Sequence, residues 1–328
     1  MSALTAGPLE VLTVGRAGVD LYPEQSGVPL SQVATFAKSL GGTAANVSVG
    51  AARLGHRTAV LTKVGLDDFG GYVRQALTEF EVDPRYVGTA PDLLTPVVFC
   101  ALNPPEDPPL LSYRLPVAPD LTLTPEDVPW PVVHEVPLLW VTGTGVSVEP
   151  ARQTQLDMLN HRDRPAAASG RWTVLDLDWQ PTFWPSPEHA RWTYTLMLEN
   201  TNVVVGNRAE VDVVVGTSDP EEAARRLLAH GVELVLVKMG AEGVLIATKE
   251  GMTTVAPQLV AVACGLGAGD AFGGALIHGL LSGWDPVRCA EYANAAGAIV
   301  VSRLASADAM PTIDELDAMV SASGRQKE

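Results

Sequence analysis

Short apolar runs alternate with helical patterns along most of this chain, and that alternation constrains its fold more than any other feature. Helical patterns such as residues 68–80 and 150–160 separate most of the apolar runs. Strands that alternate with helices build a parallel sheet with helices on both faces. The sequence therefore predicts one α/β domain over residues 1–328, with three layers (α/β/α) and a central, mainly parallel sheet. The predicted strands are residues 11–15, 58–64, 138–142, 173–178, 203–206, 234–238, 244–248 and 253–257.

A pair of β-like segments interrupts this alternation and predicts an additional small subdomain. Residues 95–102 and 110–115 are rich in apolar and aromatic side chains and flank a proline-rich turn. A hairpin between β-α units does not belong to a plain doubly wound sheet, so we interpret it as a β lid over a ligand or a partner subunit. Residues 24–40 are predicted to be polar and irregular. The lid is drawn at about residues 17–40 and 95–115.

The charge of the chain limits what it can bind. It carries 38 acidic side chains and 22 Lys or Arg side chains, a net charge of −16, with the acids spread along the sequence. Nucleic-acid binding depends on neutralising phosphates with basic residues, so no nucleic-acid partner is expected. A phosphate-bearing ligand would need local help from glycine N–H groups, a helix end and a divalent cation.

Cysteines and hydropathy indicate the cellular compartment. Cys100, Cys264 and Cys289 are far apart and odd in number, which is typical of buried thiols in a reducing cytoplasm. The six histidines are scattered singly, without a pair at metal-ligand spacing. Residues 1–10 show no signal-peptide pattern, and no apolar stretch reaches membrane length without polar breaks. We therefore expect a soluble, cytoplasmic protein with no membrane partner.

A glycine-rich turn that opens a helix indicates the chemistry. Residues 265–270 are Gly-Leu-Gly-Ala-Gly-Asp, after which Phe272, Leu276 and Leu280 fall on one helical face. Glycines let backbone N–H groups approach a ligand, and a helix N-terminus adds unpaired donors and a positive dipole end. Together they predict a site for a phosphate or a developing anion. Asp270 is either the base that takes a proton from an attacking hydroxyl or only the cap of the helix.

A second glycine turn opens a helix near the start of the chain. Gly41 and Gly42 precede a run of small residues, and Gly55 is predicted to end that helix. Small side chains allow another backbone or a ligand to approach closely. Asn46, one turn into the helix, is either a ligand for a polyol or a buried amide that satisfies a neighbouring loop. Asp20 follows the first strand and is either close to a ligand or a turn cap.

The two glycine motifs in combination resemble those of one protein family. Gly-Gly-x-x-x-Asn at residues 41–46, together with Gly-Ala-Gly-Asp-x-Phe at residues 267–272, is similar to the ribokinase-like (pfkB-type) carbohydrate kinases. The resemblance covers essentially the whole chain. It implies a ribokinase-like fold with a small β lid that also forms a homodimer contact, and an ATP-dependent sugar kinase with Asp270 as base. The amides implied as its anion hole are those of Gly267, Ala268 and Gly269.

The same resemblance assigns ligands to further positions. Asp20, Gly42 and Asn46 would bind the sugar. Asn207-x-x-Glu210 looks like the family's element for hydrated Mg²⁺ and the nucleotide phosphates, with Glu210 acting on the metal through water. The positions implied to bind the nucleotide, ATP, are Asn207, Lys238, Gly240, Gly243, Gly267 and Asn294.

Within that family the chain most resembles the sugar-acid kinases of inositol catabolism. This likeness implies a substrate such as 5-dehydro-2-deoxygluconate. Arg114, on the second lid strand, would hold the substrate carboxylate, and Asp178 and Gln180 would contact the substrate. Gln180 stands where the family pattern usually has an arginine. The stretches that carry the likeness are residues 14–23, 95–100, 176–179 and 265–274.

The sequence leaves several alternatives open. Cys264 stands where relatives usually have Asn or Asp beside a monovalent-cation site, so the need for such a cation is undecided. Other substrates on the same fold are 2-keto-3-deoxygluconate, fructose and nucleosides. The alternative from another class is a weakly catalytic homologue that binds a sugar or a nucleotide. Gln180 and Cys264 motivate that reading, whereas Asp270, Asn207 and Glu210 count against it.

Overall fold

Strands and helices alternate along the part of the chain that this computed structural model describes, residues 7–325 except 26, 103, 105–107 and 166–168. The turn predicted between the lid segments therefore lies partly outside the described residues. The strands are β1 (Val11–Val14), β2 (Gly18–Pro23), β3 (Phe36–Gly41), β4 (Thr58–Gly65), β5 (Val87–Ala90), β6 (Val97–Cys100), β7 (Leu110–Tyr113), β8 (Leu138–Thr142), β9 (Trp172–Asp176), β10 (Val203–Asn207), β11 (Leu234–Lys238), β12 (Val244–Thr248) and β13 (Gly251–Val255). The helices are α1 (Thr43–Arg53), α2 (Asp68–Glu79), α3 (Trp130–Glu135), α4 (Ala151–Arg162), α5 (Pro187–Leu198), α6 (Arg208–Val215), α7 (Pro220–Ala229), α8 (Ala268–Leu281), α9 (Pro286–Val301) and α10 (Ile313–Arg325).

Nine strands form one large sheet in the order β13-β12-β11-β10-β9-β8-β1-β4-β5. The seven strands from β11 to β5 in this order pair parallel to their neighbours. β12 and β13 pair antiparallel at one edge. The prediction of a central, mainly parallel sheet is therefore confirmed.

Helices cover both faces of this sheet because successive strand residues point to opposite sides. On β8, Leu138 and Trp140 belong to a buried cluster with α1, α8 and α9, whereas Leu139 and Val141 belong to a cluster with α4, α5 and α7. Burying one such aliphatic side chain stabilises the fold by about 1.5–3 kcal/mol. The predicted three-layer architecture is confirmed. Among the helices of the described residues, none has both the length and the hydropathy needed to cross a bilayer.

A second, smaller sheet has the strand order β3-β2-β6-β7. β6 and β7 form the predicted antiparallel hairpin, and β2 pairs parallel to β6 and antiparallel to β3. Tyr22 of β2 and Cys100 of β6 pack with Leu102 and Cys264 in a small buried cluster. The second sheet is thereby joined to the turn that precedes α8.

The prediction that residues 24–40 are irregular is wrong at its end, because β3 begins at Phe36. β3 begins with the half-buried Phe36, followed by the exposed Ala37 and Lys38, so the strand lacks a clear alternating apolar pattern. Backbone pairing with β2 holds it instead, and the Lys38 ammonium lies 3.7 Å from the centre of the Tyr72 ring of α2. Edge strands of a small sheet depend on such tertiary contacts more than on local pattern.

Candidate active site

The candidate site lies where the parallel strands of the large sheet end. Arg16 follows β1, Asp178 follows β9, and Asn207 and Lys238 are the last residues of β10 and β11. In open α/β sheets, ligands bind outside the carboxyl ends of the strands. The N-terminus of α8, which carries Asp270, reaches the same edge, because Gly269 lies beside Lys238.

Asp270 and Asn46 are joined by a hydrogen bond although 224 residues separate them in the sequence. The Asn46 side-chain amide (Nδ2) donates to Asp270 Oδ2 at 2.7 Å. α1 and α8 can approach this closely because they meet at glycines: a Cβ on Gly274 would lie 2.8 Å from the Cα of Gly50. The small residues of the two predicted glycine helices therefore bring the candidate base and its partner together.

The surroundings of Asp270 make it more basic than an ordinary aspartate. Burial raises the pKa of Asp270 to about 6. The hydrogen bond from Asn46 opposes this rise in pKa, the negative charge of Asp178 adds to it, and Arg16 and Lys238 reduce it. A carboxylate of that pKa is mostly ionised at neutral pH and accepts a proton more readily than one near pKa 4, as a general base requires.

The turn before Asp270 presents backbone donors at the start of a helix. Gly267 caps α8 with φ of +87°, and a Cβ there would lie 2.7 Å from Ser306 Oγ, so only glycine fits. Ala268 and Gly269 are the first two residues of α8. Their N–H groups have no acceptor within the helix and lie at its positive end. This arrangement can bind an anion.

Lys238 lies against this turn. Its Nζ is 3.3 Å from the position that a Cβ of Gly269 would occupy. Burial lowers the pKa of Lys238, but the nearby charges of Glu210 and Asp176 outweigh burial and raise the pKa overall. The lysine therefore stays charged between an acidic cluster and the anion-binding turn.

The acidic cluster consists of Asp176, Asp178 and Glu210. Burial raises the pKa values of Asp176 and Glu210, and Lys238 opposes both rises. Glu210 and Asn207 form a capping box on α6: Glu210 Oε2 accepts from the Asn207 N–H at 2.6 Å, and Asn207 Oδ1 accepts from the Glu210 N–H at 2.9 Å. One carboxylate oxygen of Glu210 is therefore already committed to the helix start.

This cluster suits a hydrated divalent cation better than a fully protein-bound one. In the described part of the chain, no group of three His, Cys, Asp or Glu side chains could hold a metal ion. Carboxylate oxygens are nevertheless the ligands that Mg²⁺ prefers, and Mg²⁺ usually keeps several waters and binds substrate phosphates. The donor set fits Mg²⁺ held by Glu210 through water.

Asp20 and Gly42 lie together on the side of the small sheet. Asp20 is 5% exposed, and a Cβ on Gly41 would lie 2.2 Å from its carboxyl carbon. Burial raises the pKa of Asp20 to about 7, against the opposing charge of Arg16 and with a contribution from Asp270. Gly42 caps α1 with φ of +98°, a conformation that favours glycine. Asn46 Oδ1 is buried near them without a hydrogen-bond partner.

Arg114 follows β7 directly and stacks on an aromatic ring. Its Cζ lies 3.8 Å from the centre of the Phe183 ring, and its Nη1 and Nη2 are buried without a hydrogen-bond partner. Burial lowers the pKa of Arg114, and the charge of the buried Asp120 opposes that shift. A cavity of about 450 Å³ opens here, lined by Arg114, Phe183 and the exposed Gln180 among others.

Asp178 has an unusual backbone conformation. Its φ is +36°, which non-glycine residues seldom adopt and which often marks a functional site. Its Oδ2 accepts a hydrogen bond of 2.5 Å from Thr144 Oγ1, in the loop after β8. The hydrogen bond thereby fixes the orientation of this carboxylate of the acidic cluster.

The remaining predicted nucleotide residues are involved in loop contacts. A Cβ on Gly243 would lie 2.0 Å from the carbonyl oxygen of Val255, whereas Gly240 has open space around it. Asn294 on α9 donates from Nδ2 to the Ala256 carbonyl at 3.1 Å, which ties the loop after β13 to α9. Unlike Lys238, these residues are not in the contacts around Asp270 described above.

Some residues of the site went unassigned in the sequence analysis. Arg16, Asp176 and Thr144 all follow or end parallel strands, so their position was a usable signal. Phe183 lies in a short 3₁₀ turn after β9 and had no sequence signal, because only the packing of Arg114 on its ring gives it a role.

Comparison with known proteins gives this geometry a family. Residues 9–313 match the pfkB family of carbohydrate kinases. The chain belongs to that family. A 5-dehydro-2-deoxygluconokinase from Geobacillus thermodenitrificans is 32% identical over 319 residues, which covers 95% of this chain and 93% of the relative. This pfkB-family chain is accordingly an ATP-dependent sugar kinase.

Solved structures agree with the family assignment. A fructokinase from Vibrio cholerae O395, bound to fructose, ADP and calcium, superposes with a TM-score of 0.83 at 26% identity, over 95% of this chain and 99% of that one. An aminoimidazole riboside kinase from Salmonella enterica, complexed with its riboside and an ATP analogue, superposes with a TM-score of 0.78 at 26% identity, over the same shares of the two chains. The ribokinase-like fold predicted for this kinase is therefore confirmed.

Proposed function

We propose that this kinase transfers the γ-phosphoryl group of ATP to a hydroxyl of a sugar acid related to 5-dehydro-2-deoxygluconate. The observation that supports a sugar acid as substrate concerns Arg114, whose Nη1 and Nη2 are buried without a hydrogen-bond partner. Arginine donates two parallel hydrogen bonds to a carboxylate. The name of the Geobacillus relative, 5-dehydro-2-deoxygluconokinase, supports the same substrate.

Asp270 is the general base of the proposed reaction. It accepts the proton of the attacking sugar hydroxyl, and the hydrogen bond from Asn46 keeps its carboxylate in a fixed orientation. Its pKa of about 6 suits proton transfer near neutral pH. A positioned base of this kind contributes about 10²–10⁴-fold to the rate.

The start of α8 stabilises the charge that moves during transfer. The N–H groups of Gly267, Ala268 and Gly269 face the transferring group, and Lys238 adds a positive charge beside Gly269. Phosphoryl transfer relies mostly on such positioning and charge stabilisation. Asp20, Gly42 and the unpartnered Oδ1 of Asn46 bind the sugar hydroxyls, while Asp178 and Gln180 contact the rest of the substrate.

Nucleotide and metal bind on the side of the acidic cluster. Asn207 and Glu210 would hold the phosphates and a hydrated Mg²⁺, and the ion would supply positive charge to offset the charge of the phosphates. The loop of Gly240 and Gly243, together with Asn294 on α9, lines the pocket for the nucleotide's adenine base. Cys264 offers a sulfur in a buried cluster rather than an oxygen, so a monovalent cation is not part of the proposal.

An ATP-consumption screen tests the substrate. The panel contains 5-dehydro-2-deoxygluconate, 2-keto-3-deoxygluconate, fructose, ribose and adenosine, each at several concentrations. We expect the highest kcat/KM with the first compound and the next highest with the other acid. A higher kcat/KM for a neutral sugar or for adenosine would contradict the proposal that the substrate is a sugar acid.

A fructose kinase is the second candidate. Gln180 favours it, because this exposed amide lines the Arg114 cavity and carries no charge for a carboxylate. The fructose-bound relative from Vibrio cholerae supports the same reading. Fructose in the same panel distinguishes the two candidates.

We also propose that the enzyme is a homodimer that pairs through the lid. β7 is an edge strand of the small sheet, and Leu110, Leu111 and Tyr113 on it are exposed apolar side chains. Such an edge is suited to pairing with a second copy of the chain. Leu111→Lys should yield a monomer in light scattering, whereas Leu259→Lys, at another exposed leucine, should not.

Use of ATP and the three buried free thiols favour the cytoplasm as the compartment of this enzyme.

A further inference from the structure

Arg16 is a charged side chain at the candidate site, and the rest of the chain accepts hydrogen bonds from only some of its donors. Its Nη2 donates to Thr43 Oγ1 at 3.2 Å, but its Nε is buried without a hydrogen-bond partner. Among the described residues, no carboxylate lies within 4 Å of its guanidinium. Buried donors are normally paired, so an unpaired one in a ligand site points to an acceptor on the ligand.

Arg16 and Arg114 share one aromatic ring. Their Cζ atoms lie 5.9 Å and 3.8 Å from the centre of the Phe183 ring. They are close enough that the charge of Arg16 contributes to lowering the pKa of Arg114. Two like charges near the same ring repel each other, and a negative ligand group close to both would offset that repulsion. The ring thus brings two guanidinium groups into one part of the site.

The carboxylates around Arg16 and Arg114 form no ion pair with either guanidinium group among the described residues. Asp120 is 1% exposed, and both of its carboxylate oxygens lack a hydrogen-bond partner. Burial raises the pKa of Asp120, and Arg114 and Arg16 oppose that rise. Asp178 is engaged by Thr144, and Asp270 by Asn46. Arg16 Nε and Arg114 Nη1 and Nη2 thus stay available to a ligand.

We propose that Arg16 and Arg114 together bind the carboxylate of the sugar acid, and that Arg16 supplies the positive charge that Gln180 lacks. The inference rests on the proposed function, since only an acid substrate brings a carboxylate to this place. A carboxylate has about four lone-pair sites, enough for two N–H donors from each guanidinium. The charge of Arg16 also lowers the pKa of Asp270, so Arg16 belongs to the same site as the proposed base.

Kinetics of two variants test the pair. Arg16→Gln and Arg114→Gln are compared with Arg85→Gln, a control at an exposed arginine in the turn before β5. We expect each site variant to raise KM for the sugar acid about 10–100-fold, because charged hydrogen bonds are lost. The KM values for fructose and ATP should stay within about twofold of wild type. The control should change none of these constants.

A different result would show that Arg16 only balances the charges of Asp20 and Asp270. In that case Arg16→Gln would raise KM for the sugar acid and for fructose alike. That outcome overturns the inference. An upward shift of the pH profile of kcat is expected in either case, because Arg16 lowers the pKa of Asp270. Arg16→Lys keeps the charge without the two-donor fork and should give an intermediate KM for the acid. Arg16→Lys also replaces Arg16→Gln in this experiment if the glutamine variant does not fold.

Binding without turnover separates this inference from the proposed function. Calorimetry without ATP compares gluconate with glucitol, which has the same carbon chain but no carboxylate. Wild type should bind gluconate more tightly, and Arg16→Gln should lose about tenfold or more of that preference. If no acid is phosphorylated yet gluconate binding depends on Arg16, the proposed function fails and the carboxylate site stands. If acids are phosphorylated and Arg16→Gln leaves their KM unchanged, only the inference fails.

Discussion

The catalytic end and the lid end of this site are built in opposite ways. At the catalytic end, Asp270 is hydrogen-bonded to Asn46, and Gly267 is held against Ser306. At the lid end, Arg114 and Arg16 have buried donors that the chain does not satisfy. Helix packing therefore pre-organises the groups proposed for the chemistry, whereas the groups proposed for substrate choice depend on the ligand to complete their hydrogen bonds.

The largest expected effect follows from removing the base. Asp270→Asn should lower kcat about 10³-fold for every substrate, because the amide cannot take up the hydroxyl proton. Binding of the sugar, measured by calorimetry, should change far less. Asp68→Asn, an exposed aspartate in the first turn of α2, is the matched control and should keep wild-type activity. Turnover above a tenth of wild type in the Asp270 variant would disprove the assignment.

A glycine pair tests how rigid the catalytic end is. Gly267→Ala and Gly283→Ala both place alanine at positive φ, +87° and +69°, which costs about 1–2 kcal/mol. Only at position 267 does the new methyl group meet another side chain, Ser306. We expect Gly267→Ala to lower kcat about 10²-fold and to melt below Gly283→Ala, which should stay active. Equal melting temperatures and equal kcat values would contradict the contact with Ser306.

The lid end should accept an added charge. Gln180→Arg puts a third guanidinium beside the Arg114 cavity, so KM for the sugar acid should fall up to about tenfold. KM for fructose should not fall, since fructose has no carboxylate. A parallel fall for both substrates would mean that the cavity does not distinguish acids from neutral sugars.

The smallest expected effect concerns pH. Asp270 acts as base only when ionised, so kcat/KM should fall as the pH drops through about 6. Asn46→Ala removes a hydrogen bond to the ionised form, which raises the pKa of Asp270 and moves the acid limb upward by about one pH unit. Asn200→Ala, which removes a surface hydrogen bond to Asn160, should leave the limb unchanged. If the acid limb of the pH profile moved to lower pH in Asn46→Ala, the hydrogen bond could not be what lowers the pKa of Asp270.

Local pattern accounts for most of the elements but not for all of them. Six of the seven parallel strands of the large sheet were predictable, because strands buried on both faces are near-continuous apolar runs. The seventh, β5 at the edge of the sheet, is short and was absent from the predictions. β3 was not predictable either, because its polar residues are held by pairing with β2 and by the stacking of Lys38 on Tyr72. α5 and α6 were likewise absent from the predictions, although Ser186 and Asn207 cap them.

The amino-acid sequence by itself determined the α/β class and the two glycine turns, because each depends on neighbouring residues. Asp270 became the candidate base only through the combination of the two glycine motifs. Only the tertiary structure decided which side chains meet. The hydrogen bond from Asn46 to Asp270, the approach of Lys238 to Gly269 and the sharing of Phe183 by two arginines join distant segments. Strand order and helix packing create such contacts, and no local pattern of residues encodes them.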